Sequence, residues 1–146
     1  MTDLATDVAT HLVLLGRLYR REIDAALHAY GLSDATALPI VHIGRMGEGV
    51  RQRQLAEALG VEGPSLVRVL DLLAGAGLIE RHEDPTDRRA KTLHLTPAGR
   101  EQRTLIESVL HEVRARLFHG VDPADMTAAV RVFEHLGTAI AEGRAA

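Results

Sequence analysis

The chain has 146 residues, enough for one ordinary domain with a real core, and its 46% hydrophobic content argues against disorder. Aromatics make up only 3% and cysteine is absent, which points to a helix-rich protein cored by aliphatics and excludes disulfides, thiolate zinc sites and thiol-based redox sensing. The formal net charge of −3 does not mark a nucleic-acid binder, no apolar run approaches the ~20 residues that cross a bilayer, and the N-terminus carries aspartates where a signal peptide is basic, so a cytoplasmic protein with no membrane association is expected.

From Ala5 to His28, the residues Val8, Leu12, Leu15, Leu18, Tyr19, Ile23 and Leu27 recur at three- and four-residue steps, one face of a long helix that Gly31 ends. Ser33 offers an N-cap for a second helix reaching about Arg45, in which Pro39 is expected to remove a hydrogen bond or introduce a bend. The glycine-punctuated "GEGVRQ" suits a turn or one brief strand. "RQLAEALG" is a short helix with Leu55 and Leu59 four apart and Gly60 as its stop. In "VEGPSLVRVLDLLAGAGL", Pro64 fits the first helical turn, Leu66, Leu70 and Leu73 form an apolar stripe, and Gly77 supplies the end. Two short helices joined by "GVEG" make a helix-turn-helix candidate.

"LIERHE" and "KTLHLT" read as two strands around "DPTDRRA", with Leu93 and Leu95 on one face and Thr92, His94 and Thr96 on the other. Thr96 as N-cap and Pro97 at the first position start another helix, whose Leu105, Val109, Val113 and Leu117 share a face. After "HGVDPAD" a last helix carries Met126, Val130, Phe133, Leu136 and Ile140. The expected fold is therefore mainly α with a small β wing: a winged helix-turn-helix core flanked by N- and C-terminal helices.

A basic hairpin placed after a helix pair suits DNA. Between residues 85 and 100 the cations Arg88, Arg89, Lys91 and Arg100 face only Asp87, a local surplus that the global charge conceals. The second helix of the pair can enter the major groove with Ser65 and Arg68, placed opposite the leucine stripe, and its Pro64 end offers backbone N–H groups to a phosphate. Arg88, Arg89 and Lys91 on the hairpin suit a minor groove or backbone, and Arg51, Gln52 and Arg53 ahead of the pair suit phosphate. The eight histidines are scattered without metal-ligand spacing. No nucleophile motif, phosphate loop or carboxylate pair suggests an enzyme, cofactor or metal. The competing interpretation is a winged-helix module that meets protein partners, but such a module has no need of Arg68 together with the basic hairpin.

The stretch from Gln54 to Gly99 resembles the DNA-binding core of the MarR family of bacterial transcription regulators, most closely its SlyA branch, through "PSLVRVLD", "GLIER" and "DRRAK" followed by "LTPAG". The resemblance implies a homodimer, with residues 1–30 and 97–146 as the helical dimerisation region and 31–96 as the winged DNA-binding region, on a pseudopalindromic double-stranded operator. It also implies a side-chain pair between Asp87 and Arg89 that orients the wing, and a small aromatic anion as effector. By analogy with the family's pocket, Arg17 and His42 are candidates to meet that anion. Ala37 stands where the branch often has a large aromatic, and Pro39 interrupts the same helix, so that pocket is expected to be reshaped.

Overall fold

A computed structural model describes residues 3–145. It orders them as α1 (Leu4–His28), α2 (Asp34–Met46), β1 (Val50–Arg51), α3 (Gln52–Leu59), α4 (Gly63–Gly75), β2 (Ile79–Glu83), β3 (Lys91–Leu95), α5 (Pro97–Leu117) and α6 (Pro123–Ala145). Helices dominate and the strands form one small sheet, as the composition and periodicities predict.

The helix ends follow from local chemistry. At the end of α4, Gly77 takes a left-handed φ of 73°, Leu78 N–H returns to Leu73 O, and Gly77 N–H to Ala74 O. Only glycine adopts that φ without a Cβ penalty, and the apolar residue after it folds back onto the helix it terminates. Gly60 with Val61 ends α3 in the same way. At α2 the cap differs from expectation. Ser33 holds the N-cap position, but its hydroxyl bonds Thr36 Oγ1 at 3.0 Å, and the Asp34 N–H goes instead to Asp24 Oδ1 of α1 at 3.2 Å. Pro39 does not end α2. Buried with Ala37, Ile40, Val41 and Ile43, it sits where apolar burial offsets the one donor it lacks.

The sheet is antiparallel with order β1-β3-β2, so the brief strand at Val50–Arg51 pairs with β3, Val50 opposite Leu93, while Ile79 faces Leu95 across the hairpin. Its position as central strand changes one expectation. Thr92, assigned to the outward face, is only 8% exposed. Its hydroxyl bonds His94 Nε2 at 3.0 Å, and the rings of His82 and His94 stack 4.4 Å apart on that face.

The chain forms two compact units, one through Val113 and one from Arg114. The first is built on Leu27, Ile40, Ile43, Leu55, Leu66, Leu70, Leu93, Ile106 and Leu110, contributed by α1 to α5 and β3. On α5 the buried face is Ile106, Val109, Leu110 and Val113; Leu105 and Leu117, expected on it, lie at its exposed rim. Two overlapping apolar stripes exist there, and the docking rotation of the helix selects one. The "TPAG" motif starts α5: Thr96 Oγ1 accepts from Gly99 N–H at 3.0 Å and donates to Gly77 O at 2.6 Å. A Cβ on Gly99 would overlap the Leu78 carbonyl, so the glycine admits the helix against the end of α4. In the second unit, α6 has no buried residue among those described and exposes Val130, Val132, Phe133 and Ile140. No described helix is long and apolar enough to cross a membrane.

Candidate nucleic-acid interface

α3 and α4, joined by Gly60, Val61 and Glu62, form the helix-turn-helix, with Leu55, Leu66, Leu70 and Leu73 turned into the core. Arg68 points away from that leucine face, is exposed, and has no ion pair or hydrogen bond with any described residue. Pro64, in the first turn of α4, is also exposed. Ser65 is exposed at the flank, not opposite the leucines, and together with Val69 it lines a cleft of about 310 Å³. That difference follows from helical geometry, since one residue turns the direction by about 100°. Leu72, one turn beyond Arg68, is 62% exposed, an apolar neighbour beside the arginine that periodicity alone did not single out.

The wing is the β2–β3 hairpin with its loop from Asp84 to Ala90. Two aspartates shape the loop through side chain to backbone bonds that turn the chain two residues on. Asp84 Oδ1 accepts from Thr86 N–H at 2.8 Å and from its hydroxyl at 2.7 Å. Asp87 Oδ1 accepts from Arg89 N–H at 3.0 Å. The latter corrects the expectation of a side-chain pair: among the described residues Asp87 holds the backbone of Arg89, and the Arg89 guanidinium has no carboxylate partner. A carboxylate two residues ahead reaches the near amide more easily than the end of a long, exposed side chain. Arg88 is likewise exposed and unpaired among the described residues, whereas Lys91 lies 3.9 Å from Glu83.

Arg51 takes a place that phosphate contact does not account for. Its Nε donates to Asp84 Oδ2 at 2.8 Å and its Nη2 to Thr86 Oγ1 at 3.4 Å, while its backbone N–H is capped by Gln54 Oε1 at 3.0 Å. Asp84 is 8% exposed. The two Thr86 hydrogen bonds and the Arg51 guanidinium hold its carboxyl down at about 2, burial opposing them. Arg81 of β2 pairs with Asp71 of α4, tying the wing to the second helix of the pair. Gln52 is half-buried at the start of α3, and Arg53 pairs along that helix with Glu57 at 3.4 Å. Asp84, Thr86, Asp71 and Arg81 are not among the residues that charge and position along the chain single out. The spacing Asp84-Pro-Thr86 was a usable signal for the turn; the partner Arg51, more than thirty residues away, was not.

The cleft beside Ser65 is lined by Arg20 of α1, Asp34, Leu38 and Pro39 of α2, and Leu59, Val61, Leu66 and Val69 of the helix pair. Arg20 and Asp34 form a loose pair across it at 3.8 Å. Neither Arg17 nor His42 lines it: Arg17 is exposed on α1, and His42 Nδ1 bonds Leu38 O at 2.9 Å within its own helix. No cluster of three metal-ligating side chains occurs among the described residues.

These elements define the class, a winged helix-turn-helix of the kind built around transcription regulators. The family model for the MarR family matches residues 30–90. The transcriptional regulator PA3341 is 34% identical over 92% of this chain and 98% of that one, with a TM-score of 0.85. A MarR-family regulator from Silicibacter pomeroyi is 28% identical over 88% of this chain and 86% of that one, with a TM-score of 0.73. CouR from Rhodococcus jostii RHA1, solved with p-coumaroyl-CoA bound, is 23% identical over 93% of this chain and 95% of that one, with a TM-score of 0.79. The chain belongs to the MarR family of transcriptional regulators, which are not enzymes and which typically bind DNA as dimers.

Proposed function

We propose that this chain is a homodimeric, sequence-specific regulator that binds a pseudopalindromic operator, with α4 in the major groove and the wing along the backbone, and that it stands nearest the SlyA branch on "PSLVRVLD", "GLIER" and "DRRAK". One observation carries the reading. Of the cations on α4 and the wing, Arg68, Arg88 and Arg89 are exposed without partners among the described residues, while Arg81 and Lys91 lie near carboxylates of the fold. A protein-docking module has no need of free arginines on both the helix face and the hairpin tip. Selection of bound sequences from a random DNA pool tests it: an enriched palindrome with half-sites one helical turn apart, or a multiple, is expected. Enrichment of nothing above background would favour the protein-interaction module.

The cleft favours a second reading, that a small apolar anion modulates DNA affinity. Its walls are mostly aliphatic, Arg20 supplies the cation, and a wedge there would bear on α1 and on the start of α4 together. The CouR ligand, a CoA thioester, offers the same pairing of apolar and anionic parts. A ligand acts only through differential affinity for the two positions of the helix pair. Titration of aromatic acids and acyl-CoA thioesters against the protein–DNA complex should release DNA, and Arg20→Ala should blunt the response. No release by any compound, with no heat of binding, would leave a constitutive binder.

A further inference from the structure

We propose that Asp84 is a positioning residue for DNA binding and that Arg51 acts through it, upon the wing, instead of meeting a phosphate itself. The inference rests on the DNA-binding reading above. Three side chains close a ring. Asp84 Oδ2 accepts from Arg51 Nε at 2.8 Å, Asp84 Oδ1 from the Thr86 hydroxyl at 2.7 Å, and Thr86 Oγ1 in turn accepts from Arg51 Nη2 at 3.4 Å. The ring joins separate parts of the fold. Arg51 ends β1 and is the N-cap of α3, Asp84 directly follows β2, and Thr86 lies in the loop that carries Arg88 and Arg89.

Within the loop, the remaining bonds are local: Thr86 N–H to Asp84 Oδ1, Asp84 N–H to Ala90 O, Ala90 N–H to Asp87 O, and Arg89 N–H to Asp87 Oδ1. They give the loop its shape but not its direction relative to the helix pair. Arg81 with Asp71 ties β2 to α4, and beyond the end of β2 the ring sets the loop's direction, through bonds of the strong kind to an ionised, nearly buried carboxylate. Without Asp84, the Arg51 guanidinium keeps only the long contact to Thr86 among the described residues.

Charge and position oppose each other here, which makes the proposal decidable. Removing the Asp84 charge makes the wing more positive, and by phosphate attraction alone this tightens binding to any duplex. Loss of wing direction instead weakens binding to the preferred duplex. Arg51→Gln separates the two roles as well, because a lost phosphate contact weakens all duplexes and makes the salt dependence shallower.

The experiment uses the full chain, the duplex that the wild-type protein enriches from a random pool, and a random-sequence duplex of equal length, each at several salt concentrations. Asp84→Asn and Arg51→Gln should each weaken the enriched duplex roughly tenfold, and the double variant no more than the worse single one, as expected for residues in one network. Binding of Asp84→Asn to the random duplex should be unchanged or tighter. Tighter binding of the enriched duplex by Asp84→Asn, no change with any of the three variants, or additive losses with a shallower salt slope for Arg51→Gln would each overturn the proposal. Should Asp84→Asn fail to fold, Thr86→Val removes the ring's hydroxyl and leaves the carboxylate; it must weaken the enriched duplex non-additively with Arg51→Gln, and additivity overturns. If the wild type enriches no duplex, the DNA reading has failed by itself, and the ring is then read from trypsin cleavage after Arg88 and Arg89. Faster cleavage in the ring variants supports its hold on the loop, and equal rates refute it.

Discussion

Arg68 and Lys91 are both basic, exposed and near the same motif, yet their surroundings differ. Arg68 stands on the outward face of α4 without a partner among the described residues, while Lys91 lies at the wing stem, 3.9 Å from Glu83. Arg68→Ala should cost about 1–3 kcal/mol of operator binding and relax sequence preference at one position per half-site. Lys91→Ala should weaken every duplex alike and make the salt dependence shallower. Binding isotherms on enriched and scrambled duplexes compare the two, and indifference of all duplexes to both changes would contradict the assignment. Asp84 carries a separate expectation about pH. Its carboxyl titrates at about 2 instead of the ordinary 3.8, so folding favours the ionised form. That contribution is complete above the ordinary value and disappears as pH falls through the folded one. Urea unfolding of wild type and Asp84→Asn should therefore show a constant gap from neutrality down to about pH 5 that narrows below the ordinary carboxylate value. A gap of equal size throughout acid titration would mean that the charge is not what stabilises the site.

Among the elements, the joint between α4, β2 and α5 shows how closely local motifs depend on one another. Leu78 serves three of them: its N–H closes the end of α4 on Leu73 O, its carbonyl accepts the Thr96 N–H, and that same carbonyl is the surface against which Gly99 packs. The neighbour is backbone and cannot swing aside as a side chain would. Gly99→Ala should accordingly destabilise the protein by about 1–3 kcal/mol, although alanine is the better helix former. A lower urea midpoint with unchanged slope is the expected signature. A midpoint equal to or above wild type would show that α5 can shift without loss. The bidentate pair of Arg45 with Glu107, at 3.0 and 2.7 Å, joins α2 to α5 farther along, so a shift of α5 would strain that contact as well.

For the whole molecule, the decisive fact is what each part leaves uncovered. α1 exposes Val8, Leu12, Val13, Leu14 and Leu15, and α6 exposes Val130, Phe133 and Ile140. Contiguous apolar surface beyond a few hundred Å² is rare on monomeric soluble proteins, and a second copy of the chain offers the same stripes in return. Removing residues from Asp122 onward should therefore abolish both the dimer and tight operator binding, with Arg68 and the wing still present. Light scattering and binding measurements on the two lengths check this. A well-folded monomer of the full chain at micromolar concentration, still binding a palindrome tightly, would refute the dimeric arrangement.

Much of this was legible in the linear order of residues, because the signals concerned are local. Helices announced themselves by periodicity, their ends by glycines such as Gly60 and Gly77, the start of α5 by "TPAG", and the hairpin by alternation around "DPTDRRA". The free arginines of the candidate interface could be named for the same reason: exposure opposite a leucine stripe or at a hairpin tip follows from period and position. Tertiary structure decided everything that depends on a partner distant in the chain. It made Arg51 a member of a ring with Asp84 and Thr86, buried Thr92 by placing β3 in the middle of the sheet, chose one of two apolar stripes on α5, and lined a cleft with Arg20 and not Arg17. Backbone bonds and caps join residues a few positions apart, so sequence spacing determines them. A side chain's partner across the fold depends on how whole elements dock, and no short-range pattern encodes that.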